Sequence, residues 1–498
     1  MKRYKRGTAF LALLLLCPLL AVQPAAALEA PYEGYTYNYW GRSVPAPVIY
    51  TPGDVLYGPD MGVGLLSDGE DLVVYNQKIY ILDSGNNRIV VLDEHYALER
   101  IIENFQDDKG REYTLNAPRG LFIKDDLLYI ADSGNARVIA ADMEGNIVRS
   151  LRKPNSSLIP QDKNFVPIKL AVDRGDNVYV QCEGYYYGLV AYNADDAFTG
   201  FYGGNQVQMT FSMLSLQFWK SLFSKEQRES LQRAVPVEYS NLFLVGDFIY
   251  TCTKKTDTSK DEIQKLNPLG NNILKPTASV GYDANNFGDI ETATYRQTVY
   301  DNIFVDIHVD GNNIISVLDQ QRGRVFLYDQ ECNLLGIFGI SGSQKGAMLE
   351  PTALAKLGDT YLVLDKGKNC LITYTPTEYM GYITEGISYY SQGLYAESVE
   401  PWKKALQYNS RCSLAQISLG KAALQQGEYE EAMRYFRLGQ DRQGYSRALR
   451  EYRKQVISRY FPFLLIGFVA AVLLLKAAVG WVLRRLGVKK VKTKIVFD

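Results

Sequence analysis

The sequence predicts a mainly β chain. A six-bladed β-propeller is followed by a small α-helical repeat and one transmembrane helix. Three observations carry this. A nine-residue phrase recurs every 46 to 50 residues where no insertion intervenes, each copy reading as a strand, an acidic turn and a second strand. Past residue 383 the apolar period changes from two to helical. A run of 23 almost wholly apolar residues then stands near the end.

The first copies of the phrase are Ile81-Leu82-Asp83-Ser84-Gly85-Asn86-Asn87-Arg88-Ile89 and Ile130-Ala131-Asp132-Ser133-Gly134-Asn135-Ala136-Arg137-Val138. Worn copies lie at Val317 to Val325, which keeps Asp319 and Arg324, and from Val363 to Cys370. Repeats of this length, each built of short strands between Gly, Asn and Asp turns, suit four-stranded blades arranged radially. Six segments align in register: Tyr80-Asp83, Tyr129-Asp132, Tyr179-Cys182, Tyr250-Thr253, Ser316-Asp319 and Tyr361-Asp365. Two intervals are overlong. One holds a predicted amphipathic helical insertion at about 212–234. The other, about 267 to 298, is polar and glycine-bearing and reads as a long loop. Insertions on a propeller face are where specificity is expected. The stretch Val48-Ile49-Tyr50 is placed to close the ring against the last blade.

Asp-Ser-Gly-Asn-x-Arg after a tyrosine-bearing strand resembles the NHL repeat, over roughly residues 50 to 382. The resemblance implies structural roles for Asp83, Arg88, Asp132, Arg137, Asp319 and Arg324. The acid satisfies turn amides, and the guanidinium pairs with it or with a neighbouring blade. The architecture resembles exported bacterial NHL-repeat proteins, which implies an interaction platform.

The helical part carries Gly393, Tyr395 and Trp402, then Gly427, Tyr429 and Phe436. The two glycines are 34 residues apart. This resembles the tetratricopeptide repeat, which implies a groove for protein segments. Two such repeats are few for a free-standing solenoid, so they are expected to pack on the propeller or on a partner.

The division expected is a signal peptide at 1–27, a Tyr-rich segment at 28–47 and a propeller at 48–382. Helices follow at 383–459, a transmembrane helix at 460–483 and a basic cytoplasmic tail at 484–498. Basic residues, a short apolar run and Ala25-Ala26-Ala27 carry the signal. It places the propeller and helices outside the cell membrane and the tail inside. Lys476 interrupts the apolar run near its end. The flank before it is basic as well, with Arg450, Arg453, Lys454 and Arg459.

Composition excludes several classes. A net charge of −1 gives no basis for nucleic-acid binding. Two histidines, His95 and His308, cannot build the histidine-rich metal site of propeller lyases. There is no CxxC pair for zinc, and no nucleophile elbow or phosphate-cradling loop. Scattered cysteines are expected as mostly buried free thiols. No catalytic residue, cofactor or metal is therefore assigned. The expected function is a membrane-tethered, extracytoplasmic, non-catalytic binding or scaffold protein with a protein partner. One alternative is a lactonase or hydrolase with a divalent ion at the channel mouth, drawing on Asp173, Asp176, Asn177, Asp306 and Asp310. Another is a carbohydrate-binding accessory of a surface transporter, using Tyr185, Tyr186 and Tyr187 against a glycan or small solute.

Overall fold

A computed structural model describes residues 30–159, 162–204, 238–253, 262–275, 287–290, 293–295 and 298–487. The expected signal peptide, the expected 212–234 insertion and most of the basic tail lie outside them.

Six antiparallel sheets follow one another along the chain. Blade 1 comprises Gly69–Tyr75, Lys78–Asp83, Arg88–Leu92 and Leu98–Ile102. Blade 2 comprises Gly120–Lys124, Leu127–Asp132, Arg137–Asp142 and Ile147–Arg152, and blade 3 Pro167–Val172, Val178–Cys182, Leu189–Tyr192 and Phe198–Tyr202. Blade 4 has three strands among the described residues, Tyr239–Val245, Phe248–Thr253 and Ile263–Leu266. Blade 5 comprises Phe304–Val309, Ile315–Asp319, Arg324–Tyr328 and Leu334–Phe338. In blade 6, Pro351–Leu357, Thr360–Asp365 and Cys370–Pro376 come from the end of the propeller. Its fourth strand, Tyr50–Tyr57, comes from the beginning, with Tyr50 opposite Pro376 and Tyr57 opposite Cys370. The pairing thus starts at the last residue of the Val48-Ile49-Tyr50 stretch. The first strand of each blade touches that of the next, and blade 6 touches blade 1, so the ring is closed. The six aligned sequence segments all fall on second strands.

The second strand of each blade ends where its first strand begins. The Asp–Arg turns and the connections between blades therefore share one face of the disc. The remaining turns form the opposite face. The 267–298 interval is not wholly a loop. Ala293–Tyr295 pairs with Thr298–Tyr300, and Leu274 and Phe287 are buried in the blade 5 core.

Five helices follow: α1 Glu378–Ser391, α2 Val399–Tyr408, α3 Ser413–Gln426, α4 Tyr429–Leu438 and α5 Arg442–Arg485. The first begins earlier than the expected 383. Thr377 caps it, accepting from the Met380 amide at 3.4 Å, and Tyr379, Met380 and Ile383 are already buried. Gly427 ends α3 in the left-handed region, with φ of 79°. Small residues bring α1 to α2 and α3 to α4 in the same way. A Cβ on Gly386 would lie 2.6 Å from the Trp402 ring, and one on Gly420 would lie 2.8 Å from the Phe436 ring. These pairs are 34 residues apart, so the two hairpins repeat the same aromatic-into-glycine contact.

The helices do not stand apart from the disc. Tyr379, Met380, Ile383, Trp402, Ala405, Ala415 and Leu419 share one apolar core with Ile49, Tyr50, Ile314, Leu335, Phe338 and Tyr374 of blades 5 and 6. Lys421 of α3 reaches Glu331 in a blade 5 turn at 3.5 Å. The last strand of blade 6 delivers the chain to the face opposite the Asp–Arg turns, and the helices attach there.

The capping helix and the apolar span are one element. α5 runs 44 residues, about 66 Å at the usual rise, with Pro462 inside it. Ala448 is buried against α4, and from Arg459 onward nearly every residue is exposed. α5 is long and apolar enough to cross a membrane.

Gly386→Ala is expected to destabilise by about 1–3 kcal/mol through overpacking, and Trp402→Ala by about 3–5 kcal/mol through the cavity left. Chemical unfolding of the full chain in detergent measures both.

Candidate functional site

The recurrent phrase resolves into one hydrogen-bonded turn. Asp83 is fully buried and accepts from the Ser67 amide (2.8 Å), Asn86 Nδ2 (2.8 Å) and Arg88 Nε (2.7 Å). Asp132 repeats this with the Asn116 amide (2.8 Å), Asn135 Nδ2 (2.8 Å) and Arg137 Nε (2.7 Å). The serine hydroxyls bridge to the next blade: Ser84 donates to Pro118 O and Ser133 to Pro167 O, both at 2.6 Å. Gly85 and Gly134 allow close approach, since a Cβ there would lie 2.4 Å from Ser67 Oγ or 2.6 Å from Asn116. Each residue type in the phrase therefore serves the turn or the blade-to-blade seam.

Blade 5 departs from this. Asp319 accepts from the Ile303 and Gln321 amides, both at 3.0 Å. Gln320 takes the serine's place, donating to Pro351 O at 3.1 Å. Arg324 does not reach Asp319. It turns to Asp289, which also holds Arg322. Asp289 accepts in addition from the hydroxyls of Tyr35 (2.5 Å) and Tyr37 (2.8 Å). Burial pushes both phenols above the usual tyrosine range, and the Asp289 charge adds to it. Asp319 keeps one oxygen, Oδ2, without a hydrogen-bond partner, and burial pushes its carboxyl up to about 6. The Tyr-rich segment is thus strapped to blade 5 by a buried carboxylate between two arginines and two phenols.

The ring axis holds the second polar cluster. The residue facing the one before each turn position occupies the same place in all six first strands. These residues are Asp71, Gly120, Lys169, Asn241, Asp306 and Ala353. Lys169 of blade 3 pairs with Asp71 of blade 1 at 2.7 Å. It passes blade 2 where Gly120 presents no side chain. Asp71 accepts from the Leu72 (3.0 Å) and Leu121 (2.7 Å) amides. Asp306 accepts from Asn241 Nδ2 (2.5 Å), the Ile307 amide (2.8 Å) and the Leu354 amide (2.6 Å). Burial alone would push the Lys169 ammonium down. The facing Asp71, Asp306 and Glu70 carboxylates outweigh it and hold it above the usual lysine range. Burial pushes the Asp306 carboxyl up to about 7, aided by Asp71 and opposed by Lys169. Asp71, Lys169, Asn241 and Asp306 are thereby paired with one another across the first strands.

The structure does not assemble the other acidic candidates. Asp173 accepts from Asn177, from the Gly175 amide and from the Tyr179 hydroxyl. Asp176 pairs with Lys124, and Asp310 with Lys356 at 2.7 Å. Among the described residues no group of three or more His, Cys, Asp or Glu side chains is arranged to hold a metal. His308 is half-buried, and desolvation pushes it down to about 4. Nor do the three tyrosines form one exposed set. Tyr185 is buried in blade 3 because it continues that blade's apolar core, while Tyr186 and Tyr187 are exposed, the latter against Phe201. The five described cysteines are all free, and Cys182, Cys252 and Cys370 are buried.

Asp71, Lys169 and Asn241 escaped the sequence reading. The signal was their register: each lies opposite the residue before its aligned turn position. Asp289 carried no such signal, because it belongs to no repeat.

No protein-family model matches the chain, and no curated protein matches it by sequence. Among solved structures it is similar to virginiamycin B lyase from Staphylococcus aureus, at 8% identity and TM-score 0.36, covering 66% of this chain and 99% of that one. It is similar to XC5397 from Xanthomonas campestris, described as a gluconolactonase, at 12% identity and TM-score 0.35, covering 67% and 99%. It is similar to BamB from Moraxella catarrhalis, at 12% identity and TM-score 0.30, covering 61% and 71%. The fold of this chain rests on its own closed ring of six sheets.

Lys169→Met strands Asp71 in the axis and is expected to cost about 3–5 kcal/mol, with most of it regained in Lys169→Met/Asp71→Leu. Urea unfolding of the full chain measures the cycle. Because the Asp306 pKa rises on folding from an ordinary 3.8 to about 7, its contribution is fully present below about pH 4. It is lost as pH rises through 7. Wild type should therefore lose stability relative to Asp306→Asn between pH 4 and 7, in unfolding midpoints taken across that range. Asp289→Asn should loosen the strap and expose residues 30–47 to limited proteolysis, with the cut sites read by mass spectrometry.

Proposed function

We propose that this chain is a membrane-tethered binding or scaffold protein, with the propeller and helices extracytoplasmic and α5 as its anchor. The observation that carries this is the closed polar network along the ring axis. The buried ionisable groups at the place where a propeller ligand would enter are paired with one another or with backbone amides, so the axis serves the ring. The surfaces left for a partner are the disc faces and the helices.

The two faces differ. The helices attach opposite the Asp–Arg turns, and the anchor leaves from them. On the Asp–Arg face the last strand of blade 3 ends at Tyr202 and the first strand of blade 4 begins at Tyr239. Glu238 accepts from the Gly184 amide in a blade 3 turn at 3.0 Å. A partner is expected on this face. The turn chemistry of blades 1 and 2 fits an NHL-type propeller. The repeated Gly386/Trp402 and Gly420/Phe436 contacts fit tetratricopeptide-type hairpins, whose free surface is a second protein-binding site.

Crosslinking of the intact protein in its native membrane, with affinity capture and mass spectrometry, tests this. The expected result is a reproducible partner crosslinked to the connections of the Asp–Arg face or to α1–α4. Metal-dependent turnover of a small substrate by the purified chain, abolished by a substitution in the axis, would contradict it.

A further inference from the structure

The stem of α5, from Arg442 to Tyr460, is chemically unlike the rest of the molecule. It carries Arg442, Arg447, Arg450, Arg453, Lys454 and Arg459, all exposed, against a single carboxylate, Glu451. Glu451 is engaged with Lys454 at 2.8 Å. Arg442, Arg447, Arg450, Arg453 and Arg459 have no carboxylate partner among the described residues.

Their placement is not uniform. At 3.6 residues per turn, Arg442, Arg447, Arg450, Arg453 and Lys454 fall within an arc of about 140°. Ala448, Tyr445 and Tyr452 lie on the other side of the helix. Ala448 is buried there with Tyr445 packed beside it, against α4. One face of the stem thus docks onto the helical unit and the other presents a stripe of cations. A solvated helix face would mix both signs for intrahelical pairs; here the one such pair is Lys454 with Glu451, and the four arginines of the arc have none among the described residues.

The same helix continues without a break into the exposed apolar run. Arg459 is two residues from Phe461, and Arg453 is about 12 Å from it along the axis. Pro462 stands at the junction. It cannot donate the backbone bond to Ser458 O, which weakens the helix there and permits the stem to tilt against the span. Four of the five cations in the arc are arginines, whose planar forks match phosphate oxygens in pairs.

We infer that the cationic face of the α5 stem is a docking surface for anionic phospholipid headgroups of the membrane that the same helix enters. The inference rests on the anchor reading of α5. Charge complementarity, the arginine content and continuity with the apolar run select this occupant over an acidic protein. Docking fixes the tilt of the stem, and through the shared core it fixes how the disc stands over the membrane.

The test uses the full chain in nanodiscs of phosphatidylcholine alone, or of phosphatidylcholine with an equal share of phosphatidylglycerol. Backbone amide exchange is followed by mass spectrometry over 442–460 and 461–483. Stem amides are expected to exchange about tenfold more slowly in anionic discs, because the cations are attracted to the charged surface. The difference should vanish in Arg447→Glu/Arg450→Glu/Arg453→Glu. It should persist in the corresponding triple lysine variant, which retains the charge. Equal stem exchange in both lipids, with 461–483 protected in both, overturns the inference and leaves the anchor standing. Rapid exchange of 461–483 in both lipids overturns the anchor and the inference with it.

Discussion

Closure of the ring depends on one strand pairing between opposite ends of the propeller sequence. Tyr50–Tyr57 completes blade 6 by pairing with Cys370–Pro376. Without it blade 6 would keep three strands, and no sheet would join the start of the propeller sequence to its end. The same strand places Ile49 and Tyr50 beneath blade 6, where they meet Phe338, Tyr361, Tyr379 and Trp402. Closure and attachment of the helices are therefore one event. The chain that seals the disc also builds the core on which the helices sit.

Given a closed ring, the remaining polar chemistry has defined places. In blades 1 and 2 the Asp–Arg turns stitch the blade to the connection before it, and their serines stitch it to the blade after. In the axis, Lys169 and Asp71 join blades 3 and 1, while Asp306 and Asn241 join blades 5 and 4. Buried ion pairs of this kind contribute little net stability over an apolar filling, but removing one partner is costly. Their effect here is to fix which blades face each other. The Asp289 cluster does the same for the Tyr-rich segment on blade 5.

The fold was legible where the sequence repeats itself. Asp83, Asp132 and Asp319 mark second strands because an acid at that place accepts from an amide of the incoming connection. Tyr361 to Asp365 could be placed by register alone. The 34-residue spacing of the helical pairs was legible for a similar reason, since an aromatic ring needs a glycine opposite it. What could not be read depends on partners far apart in the chain. Arg324 meets Asp289 and the phenols of Tyr35 and Tyr37, and no repeat links them. Lys169 reaches Asp71 across blade 2 because Gly120 is there. The three consecutive tyrosines looked alike as letters, but a blade core takes one and leaves two outside.

The shared core makes disc and helical unit one cooperative body. Native-state hydrogen exchange of the full chain at increasing denaturant measures this. The strands of blades 5 and 6 and α1–α3 are expected to open together, with one free energy and one denaturant dependence. Opening of α1–α4 at distinctly lower denaturant, while blades 5 and 6 stay protected, would contradict it.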